Sequence, residues 1–467
     1  MQSYNVILIG TGQATGTIVS GLLQSGFSVA VVEGDRVGGS CVNYGCTPTK
    51  TLVAGARAAH MARRSADFGV HVGSVSTNFA EVAERVNAMR NPATEGFQAW
   101  LEEATAFYPG WATFVDEHTV AVGDARIRGE RIVIHTGTRA RAPSFPGADT
   151  VPWLDNKGIL DLTELPDHLV VIGGSYIGLE FAQAFRRYGS DVTVLQRADR
   201  LITREDPDIA EIAEEVLRSE GITVETSAEI ARLENASQGL RVRYRRGERE
   251  HAVEGSHLLI GIGRIPNSDS LNLDAAGIET DSRGFIKVDE YGRTSLPHVY
   301  ALGDVNGYGA FTHTSVHDGQ VFMDQVTQPA GSTADGAATA TPRRTLLSRT
   351  PIHSMFIDPP LARVGLSETE ARALDRPVKI ARREMRTINR AREKAETAGI
   401  IKILVDPETQ LILGATVFGT GGDEIIGMMA LAIQNRIPYP AIENTVLPHP
   451  TVSELIPFMF ADLQPLS

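Results

Sequence analysis

A strand, a glycine-rich turn and a helix occur in that order twice in this chain, and this repeat constrains the fold more than any other feature. The first copy, NVILIGTGQATG, covers residues 5–16, and the second, HLVVIGGSYIGLEFAQAF, covers residues 168–185. Glycines in such a turn permit a tight bend and bring backbone N–H groups at a helix start close to a pyrophosphate. Two copies therefore predict an α/β protein with two dinucleotide-binding domains.

Each turn has its own glycine pattern. Gly10 and Gly12 fill the first two glycine positions of the first turn, and Gly173 and Gly178 fill the first and third positions of the second. The strand after the first turn ends at Glu33, whose carboxylate can accept a hydrogen bond from a ribose hydroxyl. The first domain is therefore expected to bind an adenine dinucleotide with an unmodified ribose.

The second copy lacks this acid. Glu33 lies 23 positions after Gly10, and the same spacing from Gly173 leads to Gln196, which Arg197 follows. A carboxylate repels a 2′-phosphate, whereas arginine binds one through charge-assisted hydrogen bonds. The second domain is therefore predicted to bind NADPH rather than NADH. The alternative is that Arg197 is only a solvated surface charge.

Charge and the amino terminus narrow the class of protein. The formal net charge of −13 argues against nucleic acid or an anionic membrane as a partner, because both repel an acidic surface. The chain enters the apolar strand YNVILIG without a preceding Lys or Arg, unlike a secretory signal. We therefore expect a cytoplasmic protein, in a compartment where structural disulfides are rare.

The chain has two cysteines, Cys41 and Cys46, in the segment GGSCVNYGCTPTK. A disulfide needs its two Cα atoms roughly 4.4–6.8 Å apart, so the pair requires a distorted first helical turn, and Gly45 is placed to permit one. Metal binding is the rival interpretation, but two cysteines without a nearby histidine do not complete a structural zinc site. The pair predicts a redox-active disulfide and no metal site.

Several segments together resemble the flavoprotein disulfide reductases, the family that includes glutathione reductase, dihydrolipoamide dehydrogenase and mercuric reductase. The resemblance rests on the two dinucleotide units, the Cys-x4-Cys segment and the terminal HPTVSE, and it covers nearly the whole chain in matching order. Three further segments are similar to the family's return segment, second flavin motif and interface-domain start: LLIGIGRIPN (258–267), VYALGDVNG (299–307) and FIDPPLARVGLSE (356–368). The resemblance implies FAD in the first domain.

The resemblance also implies the catalytic roles. Cys46 is expected to face the flavin as the charge-transfer thiolate, and Cys41 to be the interchange thiol that attacks the substrate. His449 is expected to be the acid–base group, oriented by Glu454, since histidine titrates near neutrality. In the family this pair faces the cysteines of the other subunit, which implies a homodimer with shared active sites.

Further residues carry over from the family to the cofactor sites. Lys50 is expected near the flavin and paired with Glu180, Tyr176 as the aromatic lid over the flavin, and Asp304 on the FAD ribitol. The other cofactor-binding candidates are Thr136, Gly137 and Arg264.

The expected organisation follows the order of these segments. Rossmann-like FAD-binding and NAD(P)H-binding domains are predicted over residues 1–148 and 149–266, a central segment returning to FAD over 267–340, and an α+β dimerisation domain over 345–467. The low-complexity segment 329–344 is predicted to be a loop or hinge.

The predicted function is an FAD-dependent oxidoreductase that passes electrons from NADPH through the flavin and the cysteine pair to a small disulfide or similar electrophile. The alternatives are a dihydrolipoamide dehydrogenase using NAD, a metal-ion or quinone reductase of the same family, and a non-enzymatic flavin scaffold or sensor. Two residues depart from the family pattern: His135 stands before Thr136 where relatives usually have Ala, and His317 has no recognised counterpart.

Overall fold

The computed structural model describes residues 1–327 and 344–466. Its strands are, in chain order, β1 Gln2–Ile9, β2 Val29–Glu33, β3 Ala106–Pro109, β4 Ala112–Phe114, β5 Thr119–Val122, β6 Ala125–Ile134, β7 Thr138–Ala140, β8 His168–Ile172, β9 Asp191–Leu195, β10 Thr223–Glu225, β11 Glu229–Ala236, β12 Gly239–Arg246, β13 Arg249–Gly255, β14 His257–Ile260, β15 Arg264–Pro266, β16 Val299–Ala301, β17 Ile352–Met355, β18 Leu361–Gly365, β19 Lys379–Glu384, β20 Ile400–Val405, β21 Ile412–Phe418 and β22 Gln464–Pro465. Its α-helices are α1 Thr15–Gln24, α2 Gly39–Tyr44, α3 Cys46–Arg63, α4 Phe79–Ala104, α5 Tyr176–Tyr188, α6 Pro207–Ser219, α7 Thr312–Thr327, α8 Glu368–Arg372, α9 Asn389–Glu393, α10 Gly422–Gln434, α11 Tyr439–Glu443 and α12 Ile456–Met459.

The described chain divides into two units. The first comprises Met1–Pro48, Glu84–Arg141 and Gly263–Arg349, and the second comprises Thr49–Ala83, Ala142–Ile262 and Thr350–Ser467. The predicted loop 329–344 lies outside the described residues except for Arg344. Within the described ranges, no helix is both long and apolar enough to cross a membrane. The predicted domain boundaries stay predictions.

A seven-stranded sheet forms the centre of the first unit, in the order β3-β2-β1-β6-β5-β4 with β16 also paired to β6. β1 lies parallel to β2 and β6, and its apolar residues are buried on both faces, as a covered parallel strand requires. Ile7 and Ile9 join one apolar cluster, whereas Val6 and Leu8 join another. Because side chains alternate along a strand, the two clusters cover opposite faces of the sheet.

Three sheets form the second unit. The parallel strands β10-β9-β8-β14 follow the second glycine turn, β11-β12-β13 form an antiparallel sheet, and β17-β18-β21-β20-β19-β22 form a second antiparallel sheet. The last sheet buries an apolar face in a cluster that also contains Ile426 and Met429 of α10. Two parallel sheets behind glycine turns and a carboxyl-terminal α+β region confirm the predicted fold class.

The first glycine of each turn meets the same steric limit. Gly10 has φ +100°, and a Cβ atom there would lie 2.4 Å from the carbonyl oxygen of His135. Gly173 has φ +115°, and a Cβ atom there would lie 2.4 Å from the carbonyl oxygen of Gly261. His135 follows β6 and Gly261 follows β14, the parallel neighbours of β1 and β8. Glycine is therefore required at both turns for the same reason.

Candidate active site

The first glycine turn and Glu33 adjoin one another in the first unit. Glu33 Oε2 accepts hydrogen bonds from the Thr11 amide at 2.9 Å and the Thr11 hydroxyl at 2.5 Å, and Oε1 accepts one from the Asp35 amide at 2.8 Å. Helix α1 begins behind the turn, and no side chain caps it at the N-cap residue Ala14, so the positive end of the helix dipole lies at the turn, where it favours an anion. These features fit the adenine dinucleotide portion of FAD.

Asp304 lies in a buried polar group of the same unit. The Thr138 hydroxyl donates to Asp304 Oδ2 at 2.9 Å, and Arg264 Nε donates to the Thr138 hydroxyl at 2.8 Å. Burial raises the pKa of Asp304 above its ordinary value, although the Arg264 charge and the Thr138 hydrogen bond act in the opposite direction. The carboxyl group is thus held in place as a partner for a hydroxyl-rich ligand such as the ribitol of FAD.

Thr136 and Gly137 lie between β6 and β7, and Asn267 fixes both. The Thr136 hydroxyl donates to the backbone carbonyl of Asn267 at 2.8 Å, and the backbone carbonyl of Thr136 accepts from Asn267 Nδ2 at 2.8 Å. The backbone N–H of Asn267 donates to the Gly137 carbonyl at 3.0 Å. The structure therefore holds these two candidates in the same unit as Glu33 and Asp304.

The two cysteines lie on either side of a break between two helices. α2 ends at Tyr44, α3 begins at Cys46, and Gly45 between them has φ −138° and ψ −118°. A Cβ atom on Gly45 would lie 2.8 Å from the Ser40 carbonyl oxygen, so a side chain does not fit there. This is the bend at Gly45 that the sequence predicts for a five-residue spacing.

The thiols of this pair interact with each other and with Thr312. The hydrogen bond with Cys46, together with burial, raises the pKa of the Cys41 thiol, while a hydrogen bond with Thr312 acts against the rise. Thr312 is the first residue of α7, and its hydroxyl oxygen lies 3.3 Å from Cys46 Sγ. Cys41 is half-buried and Cys46 is exposed. The arrangement favours a proton on Cys41.

In the second unit, Lys50 and Glu180 meet as an ion pair. Lys50 Nζ lies 2.7 Å from Glu180 Oε2, and the Phe356 amide donates to Glu180 Oε1 at 2.8 Å. The ammonium group also lies 4.6 Å from the centre of the Phe356 ring. Glu180 is buried and Lys50 is half-buried, so the carboxylate fixes the position of the lysine.

Tyr176 begins α5, directly after the second glycine turn, and its hydroxyl is engaged. It donates to Glu205 Oε1 at 2.5 Å, and its ring stacks on His353 with centroids 5.7 Å apart. His353 Nε2 and Arg363 Nε lie 2.9 and 3.0 Å from the Glu205 carboxylate. Burial would raise the pKa of Glu205, but its bonds with His353 and Arg363 hold it below the ordinary value. The sequence analysis singled out Tyr176 but not its two contacts, Glu205 and His353, nor Arg363, which binds Glu205.

Gln196 forms hydrogen bonds to the second glycine turn and to Arg200. Its Oε1 accepts from the Gly174 amide at 3.1 Å, and its Nε2 donates to the Arg200 carbonyl at 3.2 Å. Arg197 and Arg204 are exposed nearby in the chain, and Arg200 Nε is buried without a hydrogen-bond partner in the described structure. An unsatisfied buried guanidinium nitrogen beside exposed arginines fits an anionic ligand such as a 2′-phosphate.

His449 and Glu454 form a pair near the end of the chain. His449 Nδ1 lies 2.9 Å from Glu454 Oε2 and 3.1 Å from Oε1, and the His449–Pro450 peptide bond is cis. The histidine side chain is 74% exposed, whereas that of Glu454 is 12% exposed. A carboxylate on Nδ1 holds that proton in place and leaves Nε2 directed away from Glu454 for proton exchange.

The candidates thus fall into separate groups. The first unit holds the cysteine pair with Gly10, Gly12, Glu33, Asp304, Thr136, Gly137 and Arg264, and the second holds the Lys50–Glu180 pair, Tyr176, Gly173, Gly178, Arg197 and the His449–Glu454 pair. Thr312 was missed because the segment FTHTSVHDGQ contains no pattern that separates a sulfur-contacting hydroxyl from an ordinary helix-start residue.

Comparison with family models gives two matches along the chain. Residues 4–319 match the model described as pyridine nucleotide-disulphide oxidoreductase, and residues 352–459 match the dimerisation domain of the same family.

Curated relatives match over nearly the full chain. The probable pyridine nucleotide-disulfide oxidoreductase RclA of Escherichia coli (strain K12) is 33% identical over 470 residues, covering 99% of each chain. The mercuric reductase of Bacillus cereus is 32% identical, covering 97% of this chain and 70% of the relative. The dihydrolipoyl dehydrogenase of Chlamydia pneumoniae is 31% identical, covering 97% of this chain and 95% of the relative.

Solved structures match equally well. The HOCl-induced flavoprotein disulfide reductase RclA from Escherichia coli superposes with a TM-score of 0.85 at 31% identity, covering 98% of this chain and 99% of that one. A Cu(II) complex of that protein gives a TM-score of 0.87 at 31% identity and covers 99% of each chain.

Proposed function

Since the chain belongs to the pyridine nucleotide-disulphide oxidoreductase family, and is therefore a flavoprotein disulfide oxidoreductase, we propose that it is an FAD enzyme that uses NADPH to reduce a small disulfide or similar electrophile. Electrons pass through Cys41 and Cys46, and the enzyme works as a homodimer. The reducing cytoplasm is the proposed compartment, because both thiols are regenerated there.

The coupling of the two thiols is the observation that carries this proposal. Cys41 and Cys46 hydrogen-bond to each other, which raises the pKa of Cys41, and Cys46 contacts the Thr312 hydroxyl. A pair with one retained proton and one thiolate is suited to opening and closing a disulfide. The Glu33 turn and Asp304 in the same unit supply the fit for FAD.

The cycle balances as two two-electron steps. Bound FAD would supply the route by which the two electrons of NADPH reach the disulfide, which opens to a Cys46 thiolate and a Cys41 thiol. Cys41 then loses its proton to His449 and attacks one sulfur of the substrate, which releases a first thiolate that takes the proton back. Cys46 displaces the second substrate thiolate from Cys41 and restores the disulfide.

The choice of NADPH rests on the second turn. Gln196 replaces the acid that would repel a 2′-phosphate, and its side chain is committed to Gly174 and Arg200. Exposed Arg197 and the unsatisfied Nε of Arg200 would bind the phosphate. An NAD-dependent dihydrolipoamide dehydrogenase is less well supported for this reason.

His449 is proposed to act on the cysteines of the other subunit. Its side chain is 74% exposed and its Nδ1 is held by Glu454, which suits a base presented across an interface. A dimerisation-domain match over residues 352–459 includes both residues.

Cu(II) is a second candidate acceptor, because a solved relative at 31% identity is described as a Cu(II) complex. One NADPH would reduce two Cu(II) ions to Cu(I), releasing NADP⁺ and a proton. Mercury reduction has less support, since the chain lacks the additional carboxyl-terminal cysteine pair expected for that activity.

An acceptor panel tests these assignments. The purified enzyme with NADPH is given oxidised small thiols, lipoamide, quinones and Cu(II), alongside Cys41→Ser and the neighbouring control Ser40→Ala. We expect NADPH to bleach the flavin absorbance in all three proteins and disulfide turnover to vanish only in Cys41→Ser. Disulfide turnover that survives in Cys41→Ser would contradict the thiol route, and Cu(II) turnover alone would favour the second candidate.

A further inference from the structure

His135 is a buried histidine at the end of β6 for which the proposed cycle has no use. The side chain is 5% exposed, and its ring lies against the glycine turn, since a Cβ atom on Gly12 would fall 2.8 Å from His135 Cε1. A Cβ atom on Gly303, at the second flavin motif, would fall 3.3 Å from the same ring. The imidazole therefore fills the space between two segments that the family uses for FAD.

The ring is neutral and hydrogen-bonded. Burial lowers the pKa of His135 to about 4, although the charge of Asp318 opposes the shift. Asp318 is itself committed, because it accepts from the Gly303 amide and the Asn306 side chain and pairs with Arg349. A neutral imidazole offers one donor and one acceptor.

The two ring nitrogens of His135 contact different helices. His135 Nε2 lies 2.8 Å from the Ser315 hydroxyl on α7, and Nδ1 lies 3.5 Å from the Thr15 hydroxyl at the start of α1. Thr312 lies three residues before Ser315, on the same face of α7, and its hydroxyl is the one that contacts Cys46 Sγ. A side chain that fixes Ser315 thus also fixes the distance from Thr312 to the redox sulfur.

We propose that His135 is a positioning residue for the redox cysteines: through Ser315 it holds the start of α7, so that the Thr312 hydroxyl donates a hydrogen bond to the Cys46 thiolate. His135 acts through Thr312 and touches neither the sulfur nor the substrate. Its importance for turnover rests on the proposed function, whereas its effect on Cys46 ionisation is a separate property that can be measured by itself.

The test measures the ionisation of Cys46 in purified holoenzyme carrying Cys41→Ser, so that Cys46 is the one thiol present. The rate of iodoacetamide alkylation is followed against pH, and the long-wavelength charge-transfer absorbance is titrated in parallel. Loss of one hydrogen bond to a charged group corresponds to about one pH unit, so Thr312→Val is expected to raise the Cys46 midpoint by about that amount. His135→Ala and Ser315→Ala are expected to raise it in the same direction and by no more.

The double variant His135→Ala/Thr312→Val separates this role from a general loosening of the fold. If His135 acts through Thr312, the double variant shifts the midpoint no further than Thr312→Val alone. His135→Gln, which keeps an amide group near Ser315, is expected to recover part of the shift. His118→Ala, which removes a half-buried histidine of the same unit, is the matched control and leaves the midpoint unchanged.

Two results would overturn the role of His135: an unchanged midpoint in His135→Ala, or fully additive shifts in the double variant. Alanine is the residue that relatives usually carry at this position, so His135→Ala is expected to fold, and its melting temperature is recorded beside that of Ser315→Ala. A shifted midpoint without any disulfide turnover in the unmodified enzyme would refute the proposed function and leave the positioning role intact.

Discussion

Tyr176 donates its hydroxyl to Glu205, and the carboxylate that receives it has no exposed surface. The same carboxylate binds His353 and Arg363, so three side chains from different segments of the second unit converge on one buried charge. Because the charge is matched by Arg363, the carboxylate stays ionised and is a strong acceptor for the tyrosine. We propose that the Tyr176 ring is the aromatic lid that the family resemblance implies, and its movement for the nicotinamide would first break this hydrogen bond.

Tyr176→Phe is expected to accelerate the reduction of bound flavin by NADPH. The variant keeps the ring but removes the bond to the ionised Glu205 carboxylate, and a bond to a charged group has a net value of about 1.5 kcal/mol, or roughly tenfold in rate. Stopped-flow absorbance measures the rate, and Tyr188→Phe, which removes a hydroxyl from the same helix, is the control. A slower or unchanged rate in Tyr176→Phe would mean that Glu205 does not restrain the ring.

Lys402→Met is expected to destabilise the protein strongly. Lys402 is 2% exposed, and its Nζ binds Asp206 at 2.7 Å, Asp208 at 2.8 Å and Glu368 at 3.2 Å. Burial alone would lower the pKa of Lys402, but the hydrogen bonds to the two aspartates raise it. Removing the cation leaves the buried Asp206 carboxylate without its ion-pair partner, whereas Glu368 keeps Arg372 and Arg382. Loss of one partner of a buried pair costs about 3–5 kcal/mol of unfolding free energy at pH 7.

The pH dependence of that loss has a definite sign. Lys402 and other partners hold the pKa values of Asp206 and Glu368 below their ordinary 3.8 and 4.5, against the effect of burial. Their contribution is complete above about pH 4.5 and is lost as the pH falls through the lowered values. Urea unfolding should therefore show a smaller difference between Lys402→Met and wild type at about pH 3 than at pH 7. Lys287→Met, at an exposed ion pair with Glu279, is the control and should change stability by less than about 1 kcal/mol.

These clusters mark the limit of what the sequence reveals. The glycine turns at Gly10 and Gly173 were predictable from the motif, because a Cβ atom at either position would collide with a neighbouring carbonyl oxygen. The hairpin of β20 and β21 was predictable from two apolar runs on either side of an Asp-Pro turn. The run REDP at 204–207 gave no such signal. Glu205 binds His353 and Asp206 binds Lys402, each more than 140 positions away, through packing that no local pattern encodes.

In the candidate site, too, some residues were indicated by the sequence, whereas their long-range contacts were not. The spacing of the cysteines predicts a redox pair, and the family resemblance implies the roles of Lys50 and His449; these assignments stay predictions. His135 was visible as a departure from the family pattern, but its contact with Ser315 joins positions 180 apart. Thr312 was equally hidden, because a threonine at a helix start is common and its sulfur contact arises only from the packing of α7.

Arg197→Glu is expected to narrow or reverse the preference for NADPH over NADH. The change removes a charge-assisted bond to the 2′-phosphate and adds repulsion, which together correspond to a loss of about tenfold or more in kcat/KM for NADPH. Steady-state kinetics with both coenzymes measure the ratio, and Arg245→Glu on the exposed face of β12 is the matched control. Equal efficiency of wild type with both coenzymes would refute the assignment.

Cys41→Ser is expected to give a long-wavelength charge-transfer band without added reductant. Without Cys41 no disulfide forms, and we expect Cys46 to be a thiolate that faces the flavin, supported by the Thr312 hydroxyl at 3.3 Å. Cys46→Ser is expected to lack the band, because it removes the sulfur that is proposed to face the flavin. Absorbance spectra of the two purified variants decide the matter, and a band in Cys46→Ser alone would reverse the two roles.

Mixed dimers test whether one active site is built from two subunits. Subunits carrying Cys41→Ser and subunits carrying His449→Ala are each expected to be inactive, because each lacks one partner in the proton transfer. A heterodimer of the two places both lesions in one shared site and leaves the other intact, so about half of the wild-type activity per heterodimer should return. Differently tagged subunits are co-expressed, the heterodimer is isolated through both tags, and its disulfide turnover is measured. A doubly tagged heterodimer without thiol-dependent activity would mean that His449 serves its own subunit or none, and the exposed His449–Glu454 pair would then need another role.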